Sequence, residues 1–153
     1  MARRLKLADQ TIGDRQHISC AQAWASARCI AQALINRGLS AEKPIAILSE
    51  NDLDHALLAL GCMVAGVPFV PVSPRYSLLS QDFDKLRHVL KATTPALVFA
   101  ADGALYAKVI HAAVAMVIEV VLGTGRLDGR GTTAFSDLLA PPPRFACCWS
   151  TPF

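Results

Sequence analysis

The feature that most constrains this chain is an alternation between short β-favouring apolar runs and amphipathic helical stretches. The runs are PIAILS at 44–49, VPFVPVSP at 67–74, ALVFA at 96–100 and MVIEVVL at 116–122, with a helix pattern before or between each. PIAILS lacks polar alternation, which marks a strand covered on both faces, as in parallel sheets. Parallel neighbours need a crossover connection, usually helical, so the order predicts an α/β fold, a mostly parallel sheet flanked by helices. Pro68 and Pro71 remove ladder donors, so the second run is expected at an edge or to end quickly.

The helices carry their own punctuation. Ser19 caps the first, with Gln22 completing a capping box, and Ala23, Ala27, Ile30 and Leu34 fall on one face before Arg37 and Gly38 end it. Asn51 is the expected cap of the second, with Asp52 and Asp54 near the positive end of its dipole, Leu53, Leu57, Leu60 and Val64 as its stripe, and Gly66 as its stop. A third is expected from Ser80, with Asp82 and Asp84 in its first turn, Arg87, His88 and Lys91 in its last, and Leu79, Phe83, Leu86 and Leu90 inward, until Thr94 and Pro95. Asp102 caps a fourth that runs through His111. GTGRLDGRG then reads as a surface loop and TAFSDLLA as a short helix; PPPRFACCWSTPF has no periodicity and resembles an abrupt chain end or a shifted reading frame.

A length of 153 residues implies one domain with a real core, and 53% apolar against 18% charged residues is richer than such a domain needs, so something more belongs packed against it. The net charge of +3 is dispersed, apart from Arg3, Arg4 and Lys6, which argues against a nucleic-acid partner. Cys20, Cys29, Cys62, Cys147 and Cys148 form no CxxC pair and no ligand-like spacing to a histidine; they read as reduced thiols, with no metal site. The polar stretch TIGDRQH after the basic start is no signal-peptide core, and the uncharged run 56–74 is broken by Gly61, Gly66, Pro68, Pro71 and Pro74, so neither secretion nor a membrane span is expected and a cytoplasmic location is.

Residues that carry chemistry are scarce. In the glycine cluster at 123–131, Gly123 and Gly125 match the start of GxGxxG, but the sixth position is Asp128, whose charge repels a pyrophosphate, and no GK pair follows. No GxSxG or HExxH occurs, and His17, His55, His88 and His111 read as solvated or core-satisfied side chains. Arg75 and Arg87 have the fork geometry for phosphates such as those of coenzyme A, although the helix dipole already explains a basic residue in a last turn. No catalytic residue and no cofactor-binding residue is assigned.

The stretch 18–79 is more distinctive as a whole. ISCAQAWASARCIAQALINRGLS resembles the early helix of adenylate-forming acyl-CoA synthetases, with Cys20 where the pattern has tyrosine, and KPIAILSENDLDHALLALGCMVAGVPFVPVSPRYSL resembles their next block. SPRYSL, KLRHVL and LVFAADG are most similar to feruloyl-CoA synthetases. The resemblance covers about residues 2–139. It implies a partial N-terminal domain over 1–140, with 141–153 an irregular tail. It also implies a parent ligase that joins a hydroxycinnamate-type acid to ATP with magnesium, releases diphosphate, and passes the acyl adenylate to coenzyme A.

The family's Ser/Thr/Gly-rich phosphate loop ending in lysine has no counterpart at 93–94, 132–133 or 150–151, where no glycines and lysine follow. None of the family's catalytic residues maps onto this chain. The expectation is a structural, catalytically inactive portion prone to self-association. The alternatives are a split-enzyme module that docks with a separately encoded remainder, and a stand-alone nucleotide-binding α/β domain.

Overall fold

The computed structural model describes residues 4–5, 18–78 and 82–140. Leu79, Ser80, His17 and the cysteine-rich tail lie outside them. A two-stranded antiparallel ribbon pairs β1 (Arg4–Leu5) with β2 (Ile18–Ser19) and leads into α1 (Cys20–Asn36). The main sheet comprises β3 (Ile45–Leu48), β4 (Phe69–Pro71), β5 (Leu97–Asp102), β6 (Glu119–Thr124) and β7 (Thr133–Ala134), all parallel, in the order β4-β3-β5-β6-β7. Between them run α2 (Leu53–Ala65), the single turn α3 (Pro74–Ser77), α4 (Asp84–Thr93) and α5 (Gly103–Ala113), with α6 (Phe135–Leu139) at the end.

The strand order fixes which face each helix covers. From β3 the chain steps outward to β4, then returns past β3 to β5 and continues to β6, so right-handed crossovers must place α2 on one face and α4 and α5 on the other. The core divides accordingly. Ile45, Ile47, Leu97, Phe99 and Val121 pack with Ile30 and Leu34 of α1, Leu57, Leu58 and Cys62 of α2, and Phe135 and Leu138 of α6. Ala46, Leu48, Val98, Ala100, Val120 and Leu122 pack with Leu86 and Leu90 of α4 and Tyr106, Val109 and Ile110 of α5. All four residues of β3 are buried, as expected of a strand covered on both faces.

The first helix forms as its sequence dictates: the Ser19 hydroxyl accepts from the Gln22 amide at 3.2 Å while Gln22 Oε1 accepts from the Ser19 amide at 2.9 Å, and Ala23, Ala27, Ile30 and Leu34 are buried. In α2 two details differ from expectation. Asp52, not Asn51, is the cap, its Oδ1 accepting from the His55 amide at 2.7 Å. The buried stripe is Leu57, Leu58, Gly61 and Cys62, while Val64 is 43% exposed. Gly61 causes this rotation: a β-carbon there would lie 2.4 Å from Ile30 Cγ2, so the helices meet through the side that glycine leaves bare. Gly66 ends α2 in the left-handed region at φ 69°.

Downstream, Pro74 occupies the first position of α3, where the sequence reads as the end of a strand. The third amphipathic helix begins at Asp84, not Ser80, because buried Phe83 takes the left-handed conformation (φ 54°). Strand β6 begins at Glu119, not Met116; Met116 is 68% and Val117 91% exposed in the turn before it. The glycine-rich stretch after β6 is no plain surface loop. It is a helix-free crossover to β7, a strand the sequence pattern does not announce, and Leu127 and Arg130 within it are buried. Arg130 donates to Val114 O at 2.9 Å, to Ala115 O at 2.7 Å and to Ile118 O, so one guanidinium satisfies the carbonyls that close α5 and shape the turn into β6.

Candidate functional site at the sheet switch point

The strand order reverses between β3 and β5, and in open parallel sheets the crevice beyond the carboxyl ends at such a point is where ligands bind. Here it is built from the β3–α2 loop, α3 and the first turns of α5. Ser49, buried directly after β3, lies 2.8 Å from His55 Nδ1, which is also 3.0 Å from the Glu50 carbonyl. A carbonyl only accepts, so a hydrogen on Nδ1 satisfies both contacts, with Glu50 O and Ser49 Oγ as acceptors.

On the opposite side of the crevice Tyr106 is 1% exposed, and its hydroxyl has no hydrogen-bond partner. Burial pushes the phenol up to about 12, the Glu50 and Asp52 carboxylates push the same way, and the neighbouring Ser77 hydroxyl pulls slightly back. Ser77 is also buried, its hydroxyl directed to Pro74 O at a long 3.4 Å and near enough to the phenol to stabilise its ionised form a little.

The amides that elsewhere would cradle a phosphate are occupied. At α5, Asp102 Oδ1 accepts from the amides of Ala104 and Leu105 at 2.7 and 2.9 Å, and Asp102 Oδ2 lies 3.3 Å from Thr124 Oγ1. Gly125 covers the same turn: a β-carbon on it would sit 3.3 Å from the Gly103 nitrogen. At α2, Asp52 holds the His55 amide and Asp54 stands in the first turn. Carboxylates capping both helices repel an anion, so the described residues at this edge do not fit a triphosphate.

The residues singled out from sequence are scattered. Gly123 and Gly125 pack against β5 and α5, and Asp128 is exposed in the crossover. The Arg87 guanidinium reaches Asp82 O at 3.0 Å, Asp84 Oδ1 at 3.3 Å and Ala112 O at 3.2 Å, tying α4 to the end of α5. Arg75 is exposed on α3, and His88 and His111 are exposed on α4 and α5. Cys62 is buried with its thiol pushed up to about 12, whereas Cys20 is exposed and Cys29 half-buried. Of these, His55 lies on the β3–α2 side of the crevice and Arg75 on its α3 side. Sequence reasoning missed Tyr106, Ser77 and Ser49; the signal available for Tyr106 was a hydroxyl on the buried stripe of α5. Among the described residues no cluster of three metal-ligating side chains occurs, and no helix is long and apolar enough to cross a membrane.

A three-layer α/β domain with a parallel sheet turned back on itself is the class that this geometry defines. The profile of the AMP-binding enzyme family matches residues 2–141, and the chain belongs to that family. Similar folds occur in the luciferase-like enzyme of the mealworm Zophobas morio (17% identity, TM-score 0.68, 84% of this chain and 28% of that one). They recur in a protein assigned as a long-chain-fatty-acid CoA ligase from Rhodopseudomonas palustris (24%, TM-score 0.65, 80% and 30%). A third is the fatty acyl-adenylate ligase of Legionella pneumophila, solved with acyl adenylate and pyrophosphate (18%, TM-score 0.58, 87% and 20%). At these identities the likeness speaks for the fold. The chain spans under a third of the length of these three proteins. No individual curated protein matches the sequence.

Proposed function

We propose that this chain is a structural portion of an adenylate-forming acid–thiol ligase of the feruloyl-CoA synthetase type, and that by itself it is catalytically inactive. The parent reaction joins a hydroxycinnamate-type acid to ATP with magnesium, expels diphosphate, and exchanges AMP for the thiol of coenzyme A. Residues 1–140 belong to the large N-terminal domain, and the setting is cytoplasmic. The observation that carries the inactive reading is that no Ser/Thr/Gly-rich loop ending in lysine follows the clusters at 93–94, 132–133 or 150–151, and the carboxylate caps Asp52 and Asp102 offer no substitute cradle. The same observation disfavours a stand-alone nucleotide-binding domain. Family membership and the acyl adenylate bound by the Legionella relative support adenylation as the parent chemistry. The SPRYSL, KLRHVL and LVFAADG segments support a hydroxycinnamate substrate.

Two measurements test this. The purified chain given ferulate, magnesium ATP and coenzyme A should release no diphosphate; release sinks the inactive reading. Grafting residues 1–140 into a full-length feruloyl-CoA synthetase should preserve ferulate activation, and a folded chimera without it rejects the assignment to that type. A second reading, a module that docks with a separately encoded remainder, is favoured by large apolar side chains left in solvent: Trp24 is 57%, Met63 65% and Leu105 60% exposed. Co-purification with a polypeptide that carries the glycine-rich phosphate loop distinguishes it from self-association.

A further inference from the structure

We propose that the turn between α5 and β6, together with the basic outer face of α4 and α5, is a contact surface for an anionic lipid membrane, which Met116 and Val117 enter and Lys91 and Lys108 hold by charge. This goes beyond the ligase reading and does not depend on it. The turn is closed by the Ile118 amide donating to Ala115 O at 3.1 Å, so Met116 and Val117 occupy its two central positions. Such positions favour glycine, proline, asparagine, aspartate or serine, yet here two large apolar side chains are 68% and 91% exposed. They are also held there. Buried Arg130 donates to the carbonyls of Val114, Ala115 and Ile118 on either side, which keeps the pair from folding back onto the core.

The fold gathers charge that the sequence disperses. Lys108 Nζ lies 5.9 Å from the centre of the Phe83 ring and Arg87 donates to Ala112 O at 3.2 Å, so α4 and α5 run side by side in parallel with an offset of 25 residues. That offset brings the last turn of α4, with exposed Lys91, level with the Met116 turn. Lys108, His88 and His111 are exposed on the same pair of helices. Asp84, the one acid in either helix, is paired with Arg87 at 3.3 Å, and Glu119, which opens β6, with Arg37 at 3.2 Å. A positive face bordering an apolar tip complements an anionic bilayer, where the charge attracts and the tip inserts. Two apolar residues are too few for the core of a stable protein interface, which takes about 20–30 residues a side, whereas a bilayer demands no matching shape.

Flotation of the full chain with lipid vesicles measures the contact, because aggregates without lipid do not rise. The chain should partition onto phosphatidylserine-rich vesicles about tenfold more strongly than onto pure phosphatidylcholine. Lys91→Gln with Lys108→Gln should weaken partition about fivefold for each lost charge. Met116→Ser with Val117→Ser should weaken it about tenfold without changing charge. Trp24→Ser, on α1 at the opposite face of the sheet, should leave partition unchanged, although Trp24 is also exposed. Circular dichroism checks that each variant is folded. Equal flotation with both lipids, unchanged partition in either double variant, or an equal loss in Trp24→Ser overturns the proposal. So does capture on immobilised polyglutamate without vesicle binding, which assigns the face to an acidic protein.

Discussion

Gly61 of α2 meets Ile30 of α1 so closely that an added β-carbon would fall 2.4 Å from Ile30 Cγ2 and 2.7 Å from its Cβ. Alanine favours a helix over glycine by about 1 kcal/mol, but overpacking a well-filled contact costs about 1–3 kcal/mol. Because Ile30 is fully buried and its β-carbon has nowhere to retreat, the clash outweighs propensity. Gly61→Ala should lower the urea midpoint with an unchanged slope; a rise in midpoint would show that the two helices can separate without loss.

Arg130 is the second stability test. Removing its guanidinium takes a donor from the carbonyls of Val114, Ala115 and Ile118, of which Ala115 O keeps the Ile118 amide at 3.1 Å, and Arg130→Met should destabilise by about 2–3 kcal/mol. Arg130→Lys should recover only part of this, since an ammonium cannot span carbonyls that a planar fork bridges. Equal stability of the Arg130→Lys variant and the native chain would refute the forked role.

Asp102→Ala removes the cap of α5 and should cost about 1 kcal/mol, while Asp102→Asn, which keeps an acceptor oxygen, should cost less. Amide hydrogen exchange at Ala104 and Leu105 reads the effect locally. Unchanged protection of both amides in Asp102→Ala would exclude the cap.

Alkaline pH should unfold the chain through two named groups. The Tyr106 phenol and the Cys62 thiol are each raised by burial to about 12 in the folded state, from ordinary values of 10.0 and 9.0. Between those limits the unfolded chain has released protons that the folded chain retains, so stability falls as pH rises. Their contribution is complete below about pH 9 and is lost on the way to 12. Urea midpoints measured across that range should decline, and the decline should be shallower in Tyr106→Phe. A parallel decline in the variant would assign the effect elsewhere.

How much of this was legible from sequence depends on the range of the forces involved. The start of α1 was, because Ser19 and Gln22 satisfy each other within three residues. So was β3, whose apolar run requires cover on both faces, and so were the caps at Gly66 and Asp102. The α/β class and the AMP-binding family were legible because the pattern is long. The face of α2 was legible in part: Leu53, Leu57 and Leu60 pack on the core, while the turn toward Gly61 and Cys62 that leaves Val64 exposed is decided by what α1 presents. Strand β7 was not, being two residues whose pairing with Val121 and Leu122 follows a crossover without helical periodicity. In the crevice, Ser49, Ser77 and Tyr106 come from three separate elements, and no spacing rule joins them.

The two outer strands of the sheet are very short, three residues ending in Pro71 on one side and two on the other. A brief border with a proline at its end offers few free amides along which another backbone could align, which disfavours growth into ribbons or fibrils. Among the described residues, clustering is therefore expected through side chains on helices and turns, such as Trp24, Met116 and Val117, with little change in β content.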